Sequence, residues 1–220
     1  MTGHYDSGYH RVRHADLLEN DEYFWARAET ALQYFRPEER SARIFDYGCG
    51  VGQSMALLPY AEGWDISPEA IHACRTRGLR VYDDFAEVPR RVYDVVFCRH
   101  VLEHVEEPLT TLREIRSLLR EDGTLILVLP REPWTKAPMV PDLNQHLYCW
   151  TFRTINNLLH RAGFSPTTNE MRYPLGWLAF LPIRTRFGSR FYVWLTEVGR
   201  VLGRNGELVL RAVPETRGSQ

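Results

Sequence analysis

Lysine is almost missing from this chain of 220 residues: Lys136 is the only one, and arginine carries the rest of the positive charge. Basic residues number 27 against 28 acidic ones, so the net charge is -1 and no basic field spreads over the surface to hold a phosphate backbone. No nucleic-acid partner is expected. The arginine bias reads as a mark of GC-rich coding and is given no functional weight. Cysteine is sparse as well. Cys49, Cys74, Cys98 and Cys149 are widely spaced and form no C-x-x-C pair, which argues against a cysteine zinc site or a disulfide framework and for a reducing, cytoplasmic setting. No apolar run reaches the ~18 residues a membrane span requires, and MTGHYDSGYHRVRH at the start holds no apolar core of signal-peptide length. A soluble or peripheral protein is the expectation.

What the chain does have is apolar mass. At 44% hydrophobic and 12% aromatic residues it can bury one sizeable core but hardly two, so a single domain over residues 1–220 is expected. Within it, residues 1–41 read as an arm and a helix, 42–172 as the core, 173–206 as an insertion and 207–213 as the last strand. Tyr5 to His14 suits an extended arm or a frayed end. Asp21 to Arg36 suits a helix packing Phe24, Ala28, Ala31, Leu32 and Phe35 on a sheet, with Pro37 as its stop.

The organising stretch is Arg43 to Gly52, RIFDYGCGVG. Ile44 and Phe45 suit a buried strand, Asp46 ends it, and Gly48, Gly50 and Gly52 allow a ligand to approach the backbone where a side chain would collide. A helix from Gln53 to Leu58 should follow. Ala61 to Ile66 reads as a second strand ending in Asp65, just before the helix start Ser67-Pro68-Glu69. In nucleotide-binding α/β folds a carboxylate at that place accepts from two ribose hydroxyls; the other reading of Asp65 is a helix-capping aspartate. The glycine spacing is G-x-G-x-G, with Gln53 where a dinucleotide fingerprint would carry its third glycine, which disfavours a nicotinamide-dependent oxidoreductase.

The stretch Asp46 to Gly52, D-x-G-C-G-x-G, resembles motif I of the class I S-adenosylmethionine-dependent methyltransferases. A second resemblance lies in YDVVFCRHVLEHVEEP from Tyr93 onward, which is similar to the D-V-V-x-x-x-x-V-L-E-H-V-x-x-P segment of small-molecule members of that class. An amphipathic helix with Leu109, Leu112, Ile115, Leu118 and Leu119 on one face should follow, then a fifth strand from Leu125 to Leu129. The third match is a helix from Thr151 to Ala162 ending in Ala162-Gly163-Phe164, approached through His146 in the manner of the family's H-x-x-x-x-(T/S) segment.

The resemblance implies a single Rossmann-like α/β fold: seven mostly parallel strands, helices on both faces, and an antiparallel last strand after an inserted helical and aromatic segment. It implies S-adenosylmethionine as cofactor, held at its methionine end by Asp46, Gly48, Cys49, Gly50, Gly52 and the carbonyl of Cys98. Asp65 with Ile66 would serve the ribose side, and Asp84 with Phe85 the adenine; Asp83 competes with Asp84 for that role. No metal is required by this chemistry. His146 is the first choice for the base that takes the acceptor's proton and His100 the second, whereas His104 is read as structural. Without an N-P-P-Y segment or a Pro-Cys nucleophile pair, DNA bases are not the acceptor. A hydroxyl or amine of a small molecule, or of a carrier-linked glycan or lipid, remains. A non-catalytic module keeping the cofactor site is the alternative from another class. The insertion reads as a lid or homodimer segment, or as a peripheral membrane contact, because Trp177, Phe180, Phe187, Phe191 and Trp194 accompany Arg184, Arg186 and Arg190. Phe191, Trp194, Leu195, Val198, Val201 and Leu202 are the expected apolar face of its helix.

Overall fold

The computed structural model describes residues 15–132, 139–140, 144–172, 181–198 and 206–215. The expected arm from Tyr5 to His14, and Trp177, Phe180, Val201 and Leu202 of the insertion, lie outside the described residues. Strands β1 (Ile44–Tyr47), β2 (Ala61–Trp64), β3 (Val81–Tyr82), β4 (Tyr93–Arg99), β5 (Leu119–Pro130), β6 (Phe164–Arg172) and β7 (Glu207–Pro214) form one sheet in the order β3-β2-β1-β4-β5-β7-β6. Pairing is parallel from β3 to β5, and β7 is antiparallel to both of its neighbours. This is the sheet that the sequence motifs imply.

Alternation along the central strands explains the layers. Phe45, Val96, Leu125, Leu127 and Leu210 point to one face, where they meet Leu112, Ile115, Ile155 and Leu159 of helices α4 (Pro108–Leu118) and α5 (Phe152–Arg161). Ile44, Val95, Phe97, Ile126, Val128 and Val209 point to the other, against Tyr34, Phe35, Leu58 and Cys74, the last on α3 (Pro68–Thr76). Successive strand residues face opposite ways, so a strand covered by helices on both sides must be apolar throughout. β7 carries two charges in this setting. Arg211, 9% exposed, donates to both carboxylate oxygens of Glu39 at 2.6 and 2.8 Å and to the Tyr34 carbonyl at 3.0 Å, tying the N-terminal segment to the sheet.

Three expectations are corrected. The helix read at Gln53 to Leu58 is instead a chain of turns, with Gly52, Met55 and Leu58 each donating to the carbonyl three residues back. Such bonds advance ~2.0 Å per residue against ~1.5 Å in an α-helix, so a connection this short still reaches β2 with its amides satisfied. Leu119, read onto a helix, is the first residue of β5, which begins well before Leu125; the register slips where Gly123 passes, and a Cβ there would meet the Tyr93 carbonyl at 3.0 Å.

The third correction is the roll of the inserted helices α6 (Leu181–Phe187) and α7 (Ser189–Val198). They pack on α2 (Asp21–Ala31), which follows a short α1 (Ala15–Glu19). Leu181 and Tyr192 are buried with Ala26, while Phe191 and Trp194 are 41% and 55% exposed. The cause is polar. Arg184 donates twice to Glu29 at 3.0 and 2.8 Å, Ser189 donates to the same carboxylate, and the Gln33 amide reaches the Val193 carbonyl, so the roll that satisfies these groups turns Tyr192 inward.

Candidate functional site

At the carboxyl ends of the strands, Tyr47 pairs with Trp64 on one side and Cys98 on the other, so β1, β2 and β4 finish side by side. Asp46 is 3% exposed there, and its Oδ2 has no hydrogen-bond partner among the described residues. Burial, and secondarily the nearby Asp65 carboxylate, push its pKa up to about 7 against the opposing pull of Arg99. The turn that follows has no room for side chains. Gly48 has φ +74°, and a Cβ on it would fall 2.4 Å from Val101 Cγ2; one on Gly52 would fall 2.4 Å from Leu79 Cδ1. The Gly48 and Cys49 amides donate to the Trp64 carbonyl at 2.9 and 3.0 Å.

Asp65 is buried beneath the glycine turn and beside the helix start. Its Oδ2 accepts from the Gly50 amide at 2.8 Å and its Oδ1 from the Ser67 amide at 2.9 Å, while Ser67 itself caps α3. Ile66 beside it is 45% exposed. Of the two competing aspartates, Asp83 pairs with Arg75 at 2.7 Å, whereas Asp84 accepts from the Ala86 amide at 2.8 Å and opens the short turn Phe85–Glu87. The Phe85 ring lies 5.4 Å from that of Tyr47 and 5.0 Å from that of Trp64, closing an aromatic corner over the ends of β1 and β2. Cys98 is fully buried at the end of β4, and burial raises its thiol pKa.

The other half of the strand edge is built from charged side chains. His100, at φ +55°, places Nδ1 3.2 Å from Glu103 Oε1 and Nε2 2.8 Å from Glu207 Oε1. Burial works against its charge, but the two carboxylates win and raise its pKa. Glu207 also accepts from Arg99 at 2.7 Å and from the Tyr34 hydroxyl, and Arg99 and His100 together hold it well below the usual carboxylate range despite its burial. His100 is therefore engaged on both ring nitrogens, and taking a proton from an acceptor would require it to give up one of these contacts.

His146 is differently placed. Its Nδ1 lies 2.6 Å from Glu132 Oε1, and its ring meets His104 edge-on at 4.7 Å between centroids. His104 hydrogen-bonds to the Asn144 backbone, and burial lowers its pKa to about 4. Between them and His100 lies Glu103, fully buried. The Glu103 carbonyl accepts from the Leu147 amide at 2.7 Å, which fastens the loop carrying His146 to the turn after β4. Arg99, Glu103, Glu132 and Glu207 were not singled out from the sequence. Glu207 did leave a signal: a carboxylate opening the apolar strand ELVLRAV has to be paired if buried.

The β1/β2 end fits S-adenosylmethionine. A buried carboxylate oxygen without a partner among the described residues suits the cofactor's ammonium, glycines let the turn pack tightly on Val101 and Leu79 at the strand ends, and an acidic residue stands at the end of β2. The fold and this edge define a class I S-adenosylmethionine-dependent methyltransferase. The methyltransferase domain family matches residues 17–169, and the chain belongs to it. Among curated proteins it is 37% identical to a ubiquinone biosynthesis O-methyltransferase of Xanthomonas campestris pv. campestris, over 42% of this chain and 45% of that one. A counterpart in Xanthomonas axonopodis pv. citri is 34% identical over 44% and 47%. The chain thus matches less than half the length of these relatives. Among solved structures, a Burkholderia thailandensis 1,6-didemethyltoxoflavin N1-methyltransferase with bound S-adenosylhomocysteine has a TM-score of 0.60 at 19% identity, covering 96% of this chain and 85% of that one. The magnesium protoporphyrin IX methyltransferase of Synechocystis with bound S-adenosylmethionine gives 0.58 at 19%, over 95% and 92%. At these identities the structures speak for the fold.

Proposed function

We propose that this protein transfers a methyl group from S-adenosylmethionine to a hydroxyl, or an amine, of a small molecule or of a carrier-linked glycan or lipid. The observation that carries the reading is the His146–Glu132 pair at 2.6 Å. A carboxylate on Nδ1 fixes the imidazole tautomer and leaves Nε2 as the proton acceptor, the usual arrangement of an oriented general base. The cofactor supplies an electrophilic methyl on a sulfonium. Asp46 meets its ammonium, the Gly48–Gly52 turn and the Cys98 carbonyl its methionine end, and Asp65 its ribose. Ile66 packs near the ribose, and Asp84 with Phe85 holds the adenine.

A hydroxyl acceptor draws support from relatives named for ubiquinone O-methylation. A carrier-linked or membrane-lying acceptor draws support from Phe187, Phe191 and Trp194, exposed in a row with ring spacings of 5.4 Å beside Arg186 and Arg190. No helix among the described residues is long and apolar enough to cross a membrane. On this reading one domain carries the activity, residues 173–206 form its lid or homodimer segment, and it works in the cytoplasm.

Calorimetry tests the cofactor half: S-adenosylhomocysteine should bind and NAD should not. Tritiated methyl transfer to a panel of phenols, sugars and amines tests the acceptor half. Cofactor binding with no transfer to any of them, under conditions that keep the protein folded, would favour the scaffold alternative.

A further inference from the structure

We propose that Glu103, His104 and His146 form a binding site for a divalent transition-metal ion. One ligand atom from each lies within 4.8 Å of the other two, and Glu103 Oε1 is 3.9 Å from His104 Nε2. Ions of this kind bind imidazole nitrogen and carboxylate oxygen at ~2.0–2.2 Å, which sets tetrahedral ligand atoms roughly 3.4 Å apart. The longest separation within that bound must therefore close by little more than an ångström.

A second, independent observation concerns the Glu103 carboxylate. Glu103 is 0% exposed, yet its Oε2 has no hydrogen-bond partner among the described residues. A fully buried carboxylate oxygen without a donor is destabilising unless a cation or a proton meets it. Each ligand is also held from behind. Glu132 binds Nδ1 of His146 and so leaves Nε2 for an ion, the Asn144 backbone fixes His104, and His100 grips Oε1 of Glu103 at 3.2 Å. Such outer partners, a carboxylate on a histidine above all, are what orient metal ligands. Two imidazoles and one carboxylate suit zinc, manganese, iron, cobalt or nickel rather than magnesium or calcium.

Three protein ligands leave a position open. For methyl transfer the consequence rests on the function proposed above, although the ion site itself does not. An acceptor hydroxyl that binds the ion breaks its O–H bond, the proton passes to water, and the oxygen keeps the electron pair as a bond to the metal. The ion then does what the free His146 base would otherwise do, and His146 becomes its ligand.

Cobalt(II) reads the site directly. Chelator-treated protein titrated with Co²⁺ should take up one equivalent per chain with a visible absorption band, and Zn²⁺ should displace it. His104→Ala should lose that equivalent while its circular dichroism and its affinity for S-adenosylhomocysteine stay at the native values. Glu132→Gln, which leaves all three ligands in place, should weaken cobalt binding by ~10–100-fold. Native protein that binds S-adenosylhomocysteine but no Co²⁺, or a His104→Ala variant that binds it unchanged, overturns the ion site and leaves the methyltransferase reading standing. Should His104→Ala fail to fold, unchanged affinity in Glu132→Gln decides against the site in its place.

Discussion

The two halves of the strand edge are made of different material. At the ends of β1 and β2 the site is mostly backbone: amides of Gly48, Cys49 and Gly50 turned onto Trp64 and Asp65, with glycines where a Cβ would clash. Its partners are near in sequence, Asp65 lying 15 residues from Gly50 and 2 from Ser67. At the ends of β4, β5 and β7 the site is side chain, and Glu207 meets Arg99, His100 and Tyr34 across 108, 107 and 173 residues. On the function proposed above, the backbone cradle would serve the cofactor and the side-chain cluster the acceptor, and side chains can be exchanged one position at a time where a backbone turn cannot.

The comparison breaks if the halves are not separable, and the largest effect should come from the acceptor half. His146→Ala should lower turnover by ~10²- to 10⁴-fold and leave S-adenosylhomocysteine affinity level, the loss expected when a positioned base is removed. A fall in affinity of the same size would make one site of the two. Next is Asp65→Ala, which should weaken cofactor binding by ~10²-fold or more, since two hydroxyls lose a charged acceptor at ~1.5–3 kcal/mol each. Equal dissociation constants for variant and wild type would remove Asp65 from the ribose.

A pH series on Asp46 sharpens the contrast further. With a folded pKa of about 7, its carboxylate is charged above neutrality and protonated below, so cofactor affinity should fall as pH drops from 8 to 6 and the fall should vanish in Asp46→Asn. The sign for stability is the reverse. This pKa is raised above its unfolded value, so the group's contribution is present at pH below ~4 and is lost as pH rises through 7. Asp46→Asn should therefore melt above wild type at pH 8, with the gap closing toward pH 4. The smallest effect belongs to the exposed aromatic row. Trp194→Ser should move unfolding free energy by no more than ~0.5 kcal/mol, as surface changes do, while reducing co-flotation with liposomes if the row touches lipid. A large destabilisation would mean that Trp194 is core after all.

The same division explains what was legible in the sequence. Motif I, Asp65 and the strand order follow from short patterns, because each residue's role depends on neighbours within one turn and one strand. That Arg75 engages Asp83 was not legible, since it depends on a residue of the preceding helix. The helix read at Gln53 to Leu58 failed because periodicity does not register how far a connection must reach. The apolar face of α7 failed because its roll is fixed by Glu29 and Gln33, distant residues on or beside another helix. His100, the second choice of base after His146, meets Glu207 from the far end of the chain on its second nitrogen, a contact that no short pattern announces.

Glu207 also bears on how such proteins could be recombined. It is the first residue of β7 and stands directly after residues 173–206, the segment proposed above as a lid or homodimer segment. A chimera that exchanged residues 173–206 with those of a relative would cross over just before it. The donor's insert could bring any contour over the acceptor, but Arg99, His100 and Tyr34 would still require a carboxylate at position 207. On the proposed reading the seam for such a swap lies before Glu207, and a crossover a few residues later would leave an arginine, an imidazole and a phenol facing one another without the carboxylate that joins them.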